Sequence, residues 1–395
     1  RRVAEAIARQ AATVEYVAPG FATEPRAQLS EQLLRVLPRG LTRFFFSTSG
    51  TEANEAAIRI ARAATGRRTI LALSRSYHGA TSAALSVSGD LRRDVAGAAA
   101  RVDGTRFVPE CYCYRCPLQL SYPSCGVACA DEVGTAIDAD PDVAAMILEP
   151  VIGTNGVIVP VPEYLPKVRA ITKERGVLLI TDEVMTGWGR TGAWFGSQRF
   201  GIEPDLLTTA KGITGGYVPL ALTATTAAVH GAFLDRMLPV GHTFEAHPVA
   251  LAAAVAAIGE YERLDLIQRA RSEEAHFLER LAEVGARHPS VGETRGVGLF
   301  AAVELVQDRE RRLPFNTPGE KVTGRPTVAQ EVADAMARDG VYAFAWVNHL
   351  VLAPPLIVRP DEVDRGFAAL DRALEVSDAR VDGATTDRPN GTGQI

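Results

Sequence analysis

Lysine is nearly missing from this chain. Of 395 residues only Lys167, Lys173, Lys211 and Lys321 carry an amine, and the other 38 of the 42 basic side chains are arginine. Arginine serves wherever a charge has only to be solvated or paired, but its guanidinium stays protonated and cannot give the free amine that a Schiff base needs. Each surviving lysine is therefore a candidate chemical group. Lys167 and Lys173 fall on a polar helix face in 163–175, and Lys321 falls in the polar run 317–325, so these three read as surface charges. Lys211 follows the apolar run 205–210 and precedes the glycine-rich stretch 212–216, which places it at the end of a buried strand.

Other absences exclude whole classes. The net charge of −5 and pI of about 5.9 leave no basic field for nucleic acid. The alanine-rich run 249–258 is too short to cross a membrane and has charged neighbours. No signal-peptide pattern opens the chain, which starts Arg1-Arg2 without methionine. A soluble, cytoplasmic protein that has lost its true N-terminal segment is expected.

Short apolar runs alternate with helical stretches, the pattern of an α/β sheet covered by helices. Strands are expected at 43–47, 69–74, 143–148, 177–181, 205–210 and 220–225, mostly without alternation, as when both faces are buried. Long helices follow from 249 to about 284, then strands within 298–305 and 341–352 and a helix at 360–376. The expected organisation is an N-terminal helical segment at 1–40 joined to the small domain or an interface, a large domain at 41–260, a smaller α+β domain at 261–376, and a disordered tail at 377–395.

Ligands of open parallel sheets bind beyond the carboxyl ends of the strands. Those ends carry five polar clusters: Thr48-Ser49-Gly50-Thr51-Glu52, Tyr77-His78-Gly79, Glu149-Pro150, Asp182-Glu183 and Lys211. Ser49 through Glu52 fits a capping box, and a glycine turn running into a helix N-terminus suits a phosphate. Taken alone it is as readily an ordinary capped helix. Tyr77 could stack on a planar ring or simply pack. Asp182 ends a strongly apolar strand, where a carboxylate needs a partner. Together, an anion cradle, a flat aromatic, a buried carboxylate and a strand-end lysine are what pyridoxal phosphate requires.

These residues carry a resemblance. The segments Ser49-Gly-Thr-Glu-Ala-Asn-Glu55, Ser76-Tyr-His-Gly79, 179–192 and 204–212 resemble the motifs of class III pyridoxal-phosphate aminotransferases, and His242-Thr-Phe-Glu-Ala-His-Pro-Val-Ala250 and Ala353-Pro-Pro-Leu356 resemble later ones. The closest likeness in feel is to taurine–pyruvate-like members of the ω-aminotransferase type. The resemblance implies fold type I, with a mostly parallel seven-stranded-type sheet in the large domain, and a homodimer. It makes Lys211 the Schiff-base lysine and Asp182 the partner of the pyridine nitrogen. Ser49, Gly50 and Thr51 hold the phosphate, Tyr77 stacks on the ring, Val184 packs on its other face, and His78 and Glu149 complete the cofactor site. Thr243 reaches the phosphate of the neighbouring subunit. Two departures stand out: Met185 replaces the glutamine of several relatives, and 341–353 holds Phe344 and Trp346 but no arginine where many ω-aminotransferases bind the keto acid's carboxylate. Arg190 or the missing N-terminal segment is the alternative source of that contact.

The implied function is transfer of an amino group from an ω-amino acid or amine to a keto acid such as pyruvate. An aminomutase or decarboxylase would use the same motifs. A binding protein without activity has no reason to keep both Asp182 and Lys211. Gly187-Trp-Gly-Arg-Thr-Gly192 matches the dinucleotide fingerprint of a dehydrogenase, yet no helical face follows it. All five cysteines lie within 111–129, spaced unlike a paired-CxxC zinc site, and read either as loop thiols or as a metal centre.

Overall fold

The computed structural model describes residues 1–381. It divides into two compact units, Arg1–Ser272 and the chain from Glu273 onward. The first unit is built on a seven-stranded sheet in the order β1-β7-β6-β5-β4-β2-β3, formed by β1 (Leu41–Ser47), β2 (Thr69–Leu73), β3 (Thr105–Val108), β4 (Val143–Leu148), β5 (Leu178–Asp182), β6 (Leu206–Thr209) and β7 (Ala221–Thr226). Only β7 runs against its neighbours. The other strands therefore point their carboxyl ends to one edge. The reason β4 is a central strand is visible in its residues: Val143 through Leu148 are all apolar and at most 1 % exposed, which removes both faces from water at once. One layer, with Leu71, Met146, Leu148, Tyr164 and Leu179, packs on one face of the sheet, and another, with Ile58, Ala61, Ile70 and Ile147, on the other.

Helices α1 (Arg2–Thr13) and α2 (Glu24–Val36) pack on the helix Pro248–Arg263, with Val3 against Ala253 and Ala257. They belong to the first unit, so of the two places expected for residues 1–40, the small domain or an interface, the small domain is not where this chain packs them. The unit boundary falls at Ser272, inside the helix Leu266–Arg287, and not at residue 261. The long helices expected there are Pro248–Arg263 and Leu266–Arg287, parted where Asp265 adopts φ +47°.

The second unit has a five-stranded antiparallel sheet of β8 (Val291–Val297), β9 (Phe300–Asp308), β10 (Leu313–Pro314), β11 (Phe344–Trp346) and β12 (His349–Leu352), with β9 between β10 and β12 and also paired to β8. The single strand expected over 341–352 is a tight hairpin, turned by Val347 at φ +49°. Ser377 and Asp378, expected in the tail, end the helix Pro360–Asp378; Ser377 is fully buried and bonded to Ser290. The rest of the expected tail, 382–395, lies outside the described residues. Among the described residues no helix is long and apolar enough to cross a membrane.

Candidate active site

Five strand ends meet at one edge of the first unit's sheet, and Asp182 lies at their centre. It is 3 % exposed at the end of β5. Its Oδ2 accepts from Asn54 Nδ2 at 2.7 Å and from His78 Nδ1 at 2.8 Å, and its Oδ1 from the Val184 amide at 3.0 Å. Three donors thus converge on this one buried carboxylate. The Asn54 amide has no freedom to flip: Thr208 Oγ1 donates to its Oδ1 at 2.6 Å, and its Nδ2 also reaches the His78 carbonyl at 2.7 Å. The His78 backbone amide in turn donates to the Ser88 hydroxyl oxygen at 2.8 Å. With Nδ1–H committed to Asp182, its buried Nε2 is left without a partner.

Lys211 follows β6 in the left-handed region, at φ +47°, and opens a short turn through Thr214. Behind it, Gly212 presses on Trp188, where an added Cβ would lie 2.6 Å from the Trp188 Cβ, and the Gly212 carbonyl accepts from Tyr261 at 3.0 Å. The residue is exposed at this strand end. Protein nevertheless crowds the amine, and that loss of water lowers its pKa below the ordinary lysine value, against the upward pull of Asp182 and Glu149.

Ser49 caps the sixteen-residue helix α3 (Gly50–Thr65), its hydroxyl accepting from the Glu52 amide at 3.2 Å. The return bond of the expected box goes one residue earlier, since Glu52 Oε2 takes both the amide and the hydroxyl of Thr48. Among the described residues the amides of Gly50 and Thr51 make no bond. They open at the positive end of the helix dipole. Gly50 is required here: a Cβ would sit 2.8 Å from Val184 Cγ2, and Val184 itself packs on Ala53, Ala210 and Ala221. Gly79, at φ +137°, meets the Thr51 side chain just as closely.

Tyr77 has the Arg92 guanidinium over one face of its ring at 4.4 Å. Glu149 turns both oxygens on backbone, one to the Tyr77 amide at 3.0 Å and the other to the Gly153 amide at 2.8 Å, so it positions the tyrosine. Burial first, then the charge of Asp182, push its pKa up to about 7, with His78 and the two amides pulling down. The sign of the consequence follows. Between pH 4.5 and about 7 the folded protein keeps a proton that the unfolded chain has released, so the stability Glu149 contributes falls as pH rises through that window. Glutamine does not titrate, and the excess melting temperature of the wild type over Glu149→Gln is expected to shrink across that interval and level off above it; thermal melts from pH 4.5 to 8 that keep a constant gap would refute it.

The fingerprint loop Gly187–Gly192 closes on itself, with Gly192 bonded to the Gly189 carbonyl and Trp188 to the Trp194 carbonyl, and the next helix is the four residues Gly196–Arg199. It presents no helix N-terminus to a dinucleotide, which disposes of the dehydrogenase reading. The loop is fastened by the fully buried Glu183, which accepts from the amides of Gly196 at 2.7 Å and Ser197 at 2.6 Å and from the hydroxyls of Thr186 and Ser197. Met185 Sδ accepts from Thr154 Oγ1 at 3.6 Å, a local contact in place of a longer polar reach. Thr243 is exposed; its carbonyl accepts from Tyr16 at 3.1 Å.

The family model for aminotransferase class-III matches residues 1–374. The chain belongs to the class-III aminotransferases. This aminotransferase is 35% identical over 386 residues to the taurine–pyruvate aminotransferase of Rhodobacter capsulatus, covering 94% of this chain and 83% of that one. It is equally similar, 35% over 368 residues, to the leucine/methionine racemase of Thermococcus litoralis, covering 92% and 80%. Among solved structures, a taurine:2-oxoglutarate aminotransferase from Bifidobacterium kashiwanohense in complex with PLP and glutamate superposes with a TM-score of 0.89 at 32% identity, covering 96% of this chain and 85% of that one. The fold is type I, and the cofactor is pyridoxal 5′-phosphate. The residues present fit it: a crowded amine, a buried carboxylate held by three donors, two unbonded helix amides and an unpartnered His78 nitrogen face the same strand ends.

Proposed function

We propose that this aminotransferase carries an amino group from an ω-amino acid or other amine to a keto acid such as pyruvate, in a ping-pong sequence, as a cytoplasmic homodimer. The observation that carries the reading is the single crowded lysine beside the Asp182–His78–Asn54 network. Bound pyridoxal phosphate supplies an aldehyde for the incoming amine and a ring that draws off the electron pair left when the Cα–H bond breaks. Lys211 Nζ holds the cofactor covalently and, once freed, acts in its neutral form as the base that moves the substrate's proton. Crowding lowers the lysine pKa, a shift in the direction of that neutral form. Asp182 holds the proton on the ring nitrogen. Ser49, Gly50 and Thr51 bind the phosphate, while Tyr77 and Val184 flank the ring.

The substrate class rests on an absence. No arginine occurs in 341–353, and Phe344 and Trp346 stack there with ring centroids 6.2 Å apart. Donors whose amine is remote from any acid group, such as ω-amino acids, sulfonates resembling taurine and plain amines, are favoured. In a donor panel with pyruvate and 2-oxoglutarate, the best ω-amine is expected to outrun glutamate and ornithine by about tenfold or more; the opposite order would overturn the reading. The racemase relative defines the control. An amino acid inverted with no keto acid consumed would favour that chemistry instead.

The dimer is supported by the exposed Thr243 and its neighbour Phe244, 58 % exposed. A phosphate ligand borrowed from a partner is missing in a monomer, so sedimentation of the active enzyme is expected to give a dimer, and an active monomer would refute it. Five free cysteines suit a reducing cytoplasm.

A further inference from the structure

The five cysteines take no part in the chemistry above, yet they do not scatter. All of them line one small pocket that opens to solvent, and all five are free. Among the described residues no three metal-ligating side chains gather into a site, so the metal reading of this cluster gains no support. The thiols differ in position. Cys111 is buried at the back of the pocket and hydrogen-bonds the half-buried Cys129. Cys129 stands in the first turn of the eleven-residue helix Ala128–Asp138, where aligned peptide dipoles favour a negative charge. An attacking thiolate at a helix N-terminus with a buried thiol bonded to it is the arrangement that thiol–disulfide exchange needs.

We propose that Cys129 and Cys111 form a reversible disulfide-exchange site for small disulfides of the glutathione class, with Cys129 attacking and Cys111 resolving. The Cys129 thiolate bonds one sulfur of the small disulfide, whose S–S bond breaks and releases one thiolate. Cys111 then gives its proton to the thiolate released in the first step, and its sulfur displaces the second thiolate from Cys129. Two protein thiols are oxidised by two electrons, and one disulfide is reduced to two thiols. The acidities agree with this division of labour: the bond from Cys111 lowers the Cys129 pKa, and the same bond, then burial, raises that of Cys111. Cys113, although exposed, is a poor competitor, because burial of its sulfur and then the neighbouring thiols push it up to about 11.

The test is chemical. Holoenzyme is equilibrated with excess oxidised glutathione, quenched with N-ethylmaleimide and weighed intact, then digested and mapped. The wild type is expected to lose two of its five alkylation sites, to yield a peptide joining Cys111 to Cys129, and to recover both sites on reduction. Cys125→Ser should lose two sites in the same way, and Cys129→Ser none to an internal disulfide. Retention of all five sites, a linkage between another pair, or an unchanged loss in a folded Cys129→Ser variant would overturn the proposal. If Cys129→Ser fails to fold, the wild-type map decides alone.

Discussion

Lys211→Arg is expected to abolish amino transfer, lowering kcat/KM by more than about a thousandfold, while leaving the positive charge and the fold in place. The substitution separates two roles. If Lys211 served only as a counter-charge to Asp182 and Glu149, which both raise its pKa, arginine would serve nearly as well. If it supplies an amine, arginine cannot, because its guanidinium stays protonated at any working pH. The measurement is turnover with the best amine and pyruvate, with cofactor content read from the visible spectrum of the purified variant. Residual turnover within about tenfold of the parent would sink the assignment. A variant that still melts like the parent but no longer turns over would confirm that the amine, and not the charge, is what the chain has kept.

That the chain keeps this amine was legible because lysine is so scarce in it. Much of the fold was legible for a related reason. A strand such as Val143–Leu148 is apolar on both faces, so its burial is written in every residue. The strands the sequence concealed are those whose residues are not. Thr105–Val108 is four residues at the edge of the sheet, with Arg106 exposed, and Val291–Val297 carries Glu293, Thr294 and Arg295 between two buried valines. Their pairing is decided by the neighbouring strand, which no local pattern records.

The site divides in the same way. Residues proposed to act through their own chemistry, Asp182 and Lys211, are conspicuous because each is costly where it stands. Residues that act through another are not. Asn54 was read only as part of a motif, yet it holds Asp182, the His78 carbonyl and Thr208 together. Its signal was present in the pattern of α3, where an amide falls next to the stripe of Ala53, Ala57, Ile60 and Ala61. Thr208 gave none, since a threonine in a strand is ordinarily there for its shape. Glu149 was expected at the cofactor, but its two oxygens are spent on backbone amides, a use that only the folded chain brings about.

Asp182→Asn tests the same network from its centre, and kcat is expected to fall by about a hundred- to a thousandfold with little change in the fold. The carboxylate accepts three hydrogen bonds, from Asn54, His78 and Val184. An amide keeps the shape but has one accepting oxygen and a donor NH2, so at least one donor of the three loses its acceptor, a cost of about 1–3 kcal/mol in a buried site. The larger loss is electrostatic. A neutral side chain no longer stabilises a proton on the ring nitrogen of the bound cofactor, and the ring then draws electrons less strongly just when the Cα–H bond breaks. This predicts a split in the kinetics: the loss should appear in kcat, with cofactor retained and KM for the amine changed by less than about tenfold. An unchanged kcat would make Asp182 a structural anchor for His78 and Asn54. A loss confined to cofactor affinity would instead place its role in binding, leaving proton transfer to Lys211 alone.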